Sequence, residues 1–465
     1  MKEILKSTNL ISIANQAISN LPKLAVLSED LYQYTDNFWQ PMLDLEIGQH
    51  IYTLFSTHYS KGWTPQKARN VIEAVKFHPD IIKVEEFDNY PGKNLMNLQN
   101  GVLNLDDLKA PLLNHDQKYL FTSVIPVDYD PLNTECPNFL NFLKDVFRNP
   151  NGSVDTDMCN TIITLGGYLL YPKVQAKKLF VFYGNGANGK SILMDHVFSL
   201  FFNQRNVTDL SLNILADENN PARGDLVVSK VNMCGEQKGG KVASDEIKKI
   251  VSGETISARR FYKNSRVRFR PHAKILVSGN DRIYLQDSSY GADRRLFPID
   301  FPNKFVPKQE YLTLEREYAK LELTPEQKRV FQSRDERVMA EEFKAEAPAI
   351  LNLFLRGLQE LKENNWKFKK HASILAAEEA YKEVSDPTVT WLSNAFEESN
   401  NPVDVDFITL QAMFDIYILW FGITFTQNKK RSPLSKHLLS KKIRDHFRID
   451  SLRHDNQVGF NIRAK

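Results

Sequence analysis

The chain has 465 residues, 42% of them hydrophobic, and a formal net charge of +3, which suits a soluble protein of about three domains. No apolar run approaches the ~18 residues of a membrane span, the longest candidate at residues 416–425 being short and interrupted, so no membrane partner is expected. Cys136, Cys159 and Cys234 are far apart, with no C-x-x-C and no Cys/His cluster, which argues against both a zinc site and a disulfide framework.

The first residues, MKEILKSTNL, carry Lys2 and Lys6 with no apolar stretch behind them, so no secretory signal is expected and the chain is expected in the cytoplasm. Residues 1–155 mix helical spacings (IGQHIYTLF, ARNVIEAVKF) with a short β-like stretch at 100–113, NGVLNLDDLKAPLL, and read as an α-rich accessory domain. Asp155 and Asp157 form a D-x-D of the kind found in polymerase metal sites. Their setting, PNGSVDTD, reads instead as a turn that opens a helix.

Residues 156–305 alternate helices and strands, the pattern of an α/β core with a parallel sheet. The apolar run LFVFY (179–183) reads as a buried strand, and GNGANGKS follows it at 184–191. The spacing G-x-x-x-x-G-K-S is that of a phosphate-binding loop. Gly184, Asn185, Gly186, Ala187, Asn188 and Gly189 would close backbone N–H groups around phosphates, Lys190 would reach the β/γ-phosphates, and the Ser191 hydroxyl would hold Mg²⁺. Helical spacing from Ile192 onward points a helix N-terminus at the anion. A nucleoside triphosphate site with Mg²⁺ is therefore expected.

A second apolar strand, residues 227–237, ends at the acid Glu236, and a third, 272–281, ends at Asn280, with spacings of 46 and 44 residues along the series Lys190, Glu236, Asn280. In a parallel sheet the carboxyl ends of the strands share one edge, so the loop, the acid and the amide should converge there. Glu236 would orient or deprotonate the attacking water, and Asn280 would hold that water or sense the γ-phosphate. Between these strands, residues 259–274 hold seven Lys/Arg and no acid. RVRFR alternates, with Arg266, Arg268 and Arg270 on one face, and Lys263-Asn264-Ser265 reads as a turn. A basic hairpin with Tyr262 and Lys263 at its tip and Arg266 on its flank is expected, suited to tracking phosphates without reading bases.

Residues 306–375 read as an acidic helical linker or lid, with Ile350, Leu353, Phe354, Leu358 and Leu361 on one buried stripe. Residues 376–465 change character: three amphipathic helices are followed by two strands around an Asp-Asn turn. That is the order of a winged-helix module whose third, most basic helix (435–447) carries Lys436, Lys441, Lys442 and Arg444 toward duplex DNA. From residue 429 onward the net charge is +8, which leaves −5 on the rest of the chain and supports a nucleic-acid contact.

With these motifs in hand, the chain resembles the superfamily 3 helicases, specifically the C-terminal NTPase region of phage and plasmid primases, related to poxvirus primase–helicases. NGVLNLDDLKAPLL with FTSVIPVDYDP is similar to that group's N-terminal accessory domain, and GYLLYPKVQAKKLFVFYGNGANGKS to its Walker A region. EIKKIVSGETISARRFYKN is similar to the group's own motif, KILVSGN to its sensor, and GADRRLFPIDF to the segment with the arginine finger. The resemblance implies a P-loop AAA+ core, ATP with Mg²⁺, a homohexameric ring around single-stranded DNA with 3′ to 5′ tracking, and Arg294 or Arg295 acting in the neighbouring subunit's site. Three features depart from it. Gln237 stands where many relatives have a second acid, Asp281-Arg282 stands where a proline often follows the sensor, and no primase catalytic domain precedes the accessory region, so a separate primase or polymerase is expected to prime.

The expected function is an ATP-dependent DNA helicase acting in replication initiation of a phage, plasmid or mobile genetic element. The alternative is an initiator that binds its origin and uses ATP only to switch assembly. A small-molecule kinase would also use a P-loop but would leave the basic hairpin and winged helix without a purpose.

Overall fold

The computed structural model describes residues 10–27, 30–56, 64–85, 87–88, 93–260, 263–285, 294–318, 327–385, 387–399, 401, 406–424, 433–447, 449–454 and 457–464. The chain divides into two compact units, Met1–Leu375 and Ala376–Lys465. Among the described residues no helix is long and apolar enough to cross a membrane.

The start of the first unit is more β-rich than its helical spacings suggest. Helices Leu10–Asn20, Asp44–Ser56 and Pro65–Lys76 are joined by a four-stranded sheet of Phe38–Pro41, Asp30–Thr35, Leu24–Leu27 and Ile82–Lys83, in that order. The strands are only two to six residues long, too short for alternation to stand out from the neighbouring helical patterns. The β-like stretch begins earlier than expected, as a hairpin of Leu95–Leu98 and Gly101–Asn104. Asp155 caps the helix Thr156–Leu170, its carboxylate accepting from Met158 N–H at 2.9 Å, so the D-x-D opens a helix.

The core of the unit is a five-stranded, all-parallel sheet. Its strands are β1 (Leu179–Tyr183), β2 (Val207–Thr208), β3 (Val231–Cys234), β4 (Lys274–Gly279) and β5 (Leu296–Asp300), in spatial order β5-β1-β4-β3-β2. Every residue of β1, β3 and β4 is buried, as expected when both faces are covered. Strand β3 is shorter than its apolar run: Val227 closes the 3-10 segment that starts at Pro221, and residues 228–230 turn before the strand begins at Val231. The helix Ala347–Glu363 buries the predicted stripe and packs on Thr156–Leu170 at backbone distance. A Cβ on Gly167 would stand 2.1 Å from the Phe354 carbonyl, so the contact requires glycine there. The region between β5 and this helix is not wholly helical, since Lys304–Val306 and Val330–Gln332 pair in parallel.

In the second unit, helices Pro387–Ala395, Leu410–Thr424 and Lys436–Phe447 close over a core that includes Trp391, Tyr417, Leu439, Ile443 and Phe460. Gln457–Ala464 pairs antiparallel with Phe396–Glu398, Phe407–Thr409 and Leu452–His454.

Candidate active site

Strand β1 ends at Tyr183, and the chain then turns back over the strand's own end. Gly186, Ala187 and Gly189 take φ of +86°, +49° and +88°, left-handed values that glycine adopts without steric cost. At Gly184 the constraint is space: a Cβ would lie 1.8 Å from Asn188 Nδ2 and 2.8 Å from the Phe301 carbonyl. The loop, with exposed Asn185 at its outer edge, thus coils around a buried Asn188. The helix leaving it starts at Lys190 and widens into a π turn over Ile192–Val197, a distortion often found at functional sites.

Lys190 is 6% exposed. Its Nζ donates to the Gly184 carbonyl (2.7 Å) and Asn188 Oδ1 (2.9 Å), with a longer contact to Asn280 Oδ1 (3.5 Å). All three acceptors are uncharged, and burial pushes the ammonium down from 10.5 to about 8. A buried cation held only by neutral oxygens favours an anion in front of it.

Gly235 carries the chain out of β3, leaving Glu236 exposed to the cleft while Gln237 turns inward. Gln237 is 4% exposed. Its Oε1 accepts from Leu212 N–H (2.7 Å), its Nε2 donates to the Lys238 carbonyl (2.8 Å), and its backbone N–H donates to the Ser278 carbonyl (2.7 Å). Gln237, which stands where many members of the family the chain resembles have a second acid, is therefore an internal bracket, and of these two neighbours it is Glu236 that faces the space. Asn280 directly follows β4, the strand between those of the loop and of Glu236. Lys190, Ser191, Glu236 and Asn280 line one cleft of about 730 Å³. Its polar groups include the exposed Ser191 hydroxyl and the Glu236 carboxylate, hard oxygen donors of the kind Mg²⁺ takes alongside phosphates and water. Also lining it are Phe142, Asp145, Phe305 and Met339, which no sequence motif announces.

Arg294 and Arg295 stand elsewhere. Strand β5 runs parallel to β1, with Leu296 opposite Leu179 and Asp300 opposite Tyr183, so the two arginines lie at the opposite edge of the sheet. At ~3.3 Å per residue they are about 16 Å below the loop of their own chain. Arg294 is exposed, its carbonyl accepting from Lys178 Nζ at 2.5 Å. Arg295 is half-buried, donates from Nε to Ser252 Oγ at 3.1 Å, and is pushed down by burial and by Arg294.

The basic segment is a hairpin of Ile256–Arg260 and Lys263–Phe269, with a bulge at Arg259/Arg260. Its turn is not where the sequence suggests. Lys263-Asn264-Ser265 belongs to the second strand and Arg260 pairs with Lys263, so only residues 261–262 are left to connect the strands. Tyr262 lies outside the described residues, as does the Lys263 side chain. Arg266, Arg268 and Arg270 are exposed, whereas Val267 is buried and Phe269 half-buried. Arg259 faces Arg266 directly across the pair, and Arg266 also donates to Asn219 Oδ1 at 2.8 Å. In the second unit Lys436, Lys441, Lys442 and Arg444 all lie on the helix Lys436–Phe447. Lys441 is exposed and the other three half-buried, with Lys436 Nζ donating to Gln411 Oε1 at 2.5 Å.

Residues 55–148 match the D5 N terminal like family, and residues 182–295 match a family of unknown function, DUF5906. The chain is 26% identical over 245 residues to a protein of Acanthamoeba polyphaga mimivirus named as a helicase, covering 51% of this chain and 24% of that one. It is 22% identical over 386 residues to a protein of African swine fever virus named as a primase, covering 76% of this chain and 37% of that one. The chain thus matches 24% and 37% of the length of these two relatives. In fold it is similar over 99% of its length to the whole of a structure of the NrS-1 C-terminal region, with a TM-score of 0.51 at 12% identity. A second structure of that region gives 0.50 at 13% identity over 98% of the chain. Together these findings make the chain similar in sequence to viral proteins named as a helicase and a primase, and similar in fold to the NrS-1 C-terminal region. The D5 N terminal like match ends at residue 148, ahead of the helix Thr156–Leu170 and of the parallel sheet, whose first strand starts at Leu179.

Proposed function

We propose that the protein is an ATP-dependent DNA helicase that opens DNA during replication initiation, working as a P-loop AAA+ ATPase in a homohexameric ring. The observation that carries this reading is the convergence of Lys190, Glu236 and Asn280 in one cleft at the carboxyl edge of the sheet. The strand order β5-β1-β4-β3-β2 supports it, because β4 brings Asn280 between the loop and the acid. Lys190 exchanges its neutral oxygens for the β/γ-phosphates, with the backbone N–H groups of residues 184–189 around them. Glu236 orients the attacking water and takes its proton, while Asn280 holds the γ-phosphate side. Mg²⁺, held by Ser191 with Glu236 nearby, would neutralise developing phosphate charge. Arg294 of the adjacent copy adds a cation to this site, beside the Lys190, Lys238 and Arg334 that line the cleft within one chain.

The hairpin is the strand-gripping element. Like charges paired across strands, as Arg259 and Arg266 are, repel each other unless an anion lies between them, and a phosphate backbone provides one. The helix Lys436–Phe447, in a winged-helix module, meets duplex DNA. A forked-duplex unwinding assay with ATP tests the reading. Strand separation by the parent chain, lost in Lys190→Ala, is expected. Origin binding with ATP bound but no separation at any fork would leave only the ATP-switched initiator.

A further inference from the structure

The cleft is larger than a triphosphate needs, and its two ends differ in kind. Glu236 and Asn280 follow β3 and β4, on one side of the loop strand, whereas Phe305 follows β5, on the other. On that other side the accessory region touches the loop itself: a Cβ on Gly189 would meet Val146 at 2.9 Å and the Phe142 ring at 3.4 Å. Phe305 is tied to the loop as well, its N–H donating to the Ala187 carbonyl at 2.6 Å. Phe142 and Met339 are 7% and 8% exposed and give this end apolar walls, and Asp145, one helical turn beyond Phe142, places a carboxylate at its rim.

Asp145 is held there by an unusual clamp. Asn303, 1% exposed, directs its Nδ2 at the carbonyls of Asp145, Val146 and Arg148, at 2.9, 3.0 and 3.0 Å. The first two are orphan acceptors at the end of the helix Pro137–Val146, and the third lies just past its C-cap, Phe147. Asn303 Oδ1 in turn accepts from Arg329 at 3.2 Å. Arg148 pairs with Asp145 Oδ1, and its guanidinium lies over the Phe331 ring at 5.3 Å. The backbone under Asp145 is thereby fixed to the segment that follows β5.

Resting on the nucleotide reading above, we infer that this end of the cleft is a nucleobase pocket walled by the D5 N terminal like region, in which Asp145 selects adenine by accepting its exocyclic amino group. The ring lies between Phe142 and Met339, and Asp145 Oδ2 receives the N6 hydrogen. Guanine and hypoxanthine place a carbonyl oxygen at the same position, where it meets the carboxylate acceptor to acceptor. Asp145 is half-buried rather than enclosed, so the discrimination is about 10- to 100-fold, the range of a charge-assisted hydrogen bond.

Equilibrium binding of ATP, ITP and inorganic triphosphate to the full chain tests this. ITP differs from ATP at the base by oxygen in place of the amino group, and triphosphate has no base. The parent should bind ATP about 10- to 100-fold more tightly than ITP. Asp145→Ala should bring ATP down to the ITP level while leaving ITP and triphosphate unchanged. Asp145→Asn can donate as well as accept, and should narrow or reverse the preference by strengthening ITP. Equal affinity of the parent for ATP and ITP, with triphosphate bound, overturns the inference and leaves the phosphate loop standing. So does a loss of all three ligands together in both variants when the parent binds them, because that marks a structural role. If triphosphate and ATP both fail to bind the parent, the nucleotide reading falls and this one with it.

Discussion

The two edges of the core sheet are opposite in character. At the carboxyl edge the chain is glycine-rich and left-handed in φ, and it sets the buried Lys190, the exposed Glu236 carboxylate and the Asn280 amide around an open cleft where both signs of charge meet. At the amino edge it gathers cations: Lys178, Arg294 and Arg295 beside β1 and β5, Lys274 at the start of β4, and Lys230 just ahead of β3. Lys230 pairs with Asp88 of the accessory region, and Lys274, 3% exposed, is pushed down to about 7 by burial and by Lys230, against the pull of Asp88. One edge has room for a polyanion, while the other offers an exposed arginine it cannot bring to its own site. In the proposed ring that complementarity would join one copy's arginine to the next copy's loop, and it makes each edge separately breakable.

The largest effect is expected from Arg294→Ala. If this arginine stabilises transition-state charge in a neighbour, turnover falls by about 10³ to 10⁵ with ATP binding retained, measured by steady-state ATPase alongside direct titration. Arg295→Ala should do less, since Arg295 is engaged with Ser252. Next comes Glu236→Gln, which keeps the shape of the side chain and removes its basicity. Turnover should drop by about 10² to 10⁴ without loss of binding. Hydrolysis at the parental rate would move the catalytic acid to another residue.

A smaller effect separates the edges by pH. Lys190 titrates near 8 when no phosphate faces it, and phosphates raise that value. Below about pH 8 the ammonium is already charged and its contribution to affinity is flat; above it, binding must take up a proton and affinity falls by at most about tenfold per unit. Calorimetry at pH 8.5 in buffers of different ionisation enthalpy should detect that uptake in the parent and lose it in Lys190→Met. The smallest effect belongs to Lys274. Its folded value lies below the unfolded one, so the folded state binds fewer protons between about pH 7 and 10.5, and the cost of burying the charge is greatest below pH 7 and relieved as pH rises. Lys274→Met should stabilise the first unit by about 1–3 kcal/mol at pH 6 and by less at pH 9, read from denaturant midpoints. A gain that grows with pH would contradict the assignment.

The carboxyl edge was legible because its chemistry constrains the backbone locally. Gly184 must lack a Cβ and Gly189 must turn left-handed, and those needs leave a spaced signature in the chain. Glu236 and Asn280 were legible because an apolar run that stops on a polar residue marks a strand end. The nucleobase end left no such trace: Phe142 and Asp145 belong to an ordinary amphipathic helix, and what fixes the backbone at Asp145 is Asn303, more than 150 residues away. The four-stranded N-terminal sheet was missed because its strands are too short to outweigh the adjacent helical spacings. At the hairpin, Lys263-Asn264-Ser265 has the composition of a turn, and the register of the flanking alternation overrides it.

Mixing two inactive proteins tests the complementarity of the edges most directly. Lys190→Ala spoils only the carboxyl edge and Arg294→Ala only the amino edge, so in mixed assemblies some interfaces join an intact loop to an intact arginine. ATPase activity should reappear on mixing, rise with the fraction of mixed interfaces, and stay absent in either protein alone. If the subunits exchange, shown by energy transfer between labelled copies, and activity still does not return at any ratio, Arg294 does not act across the interface.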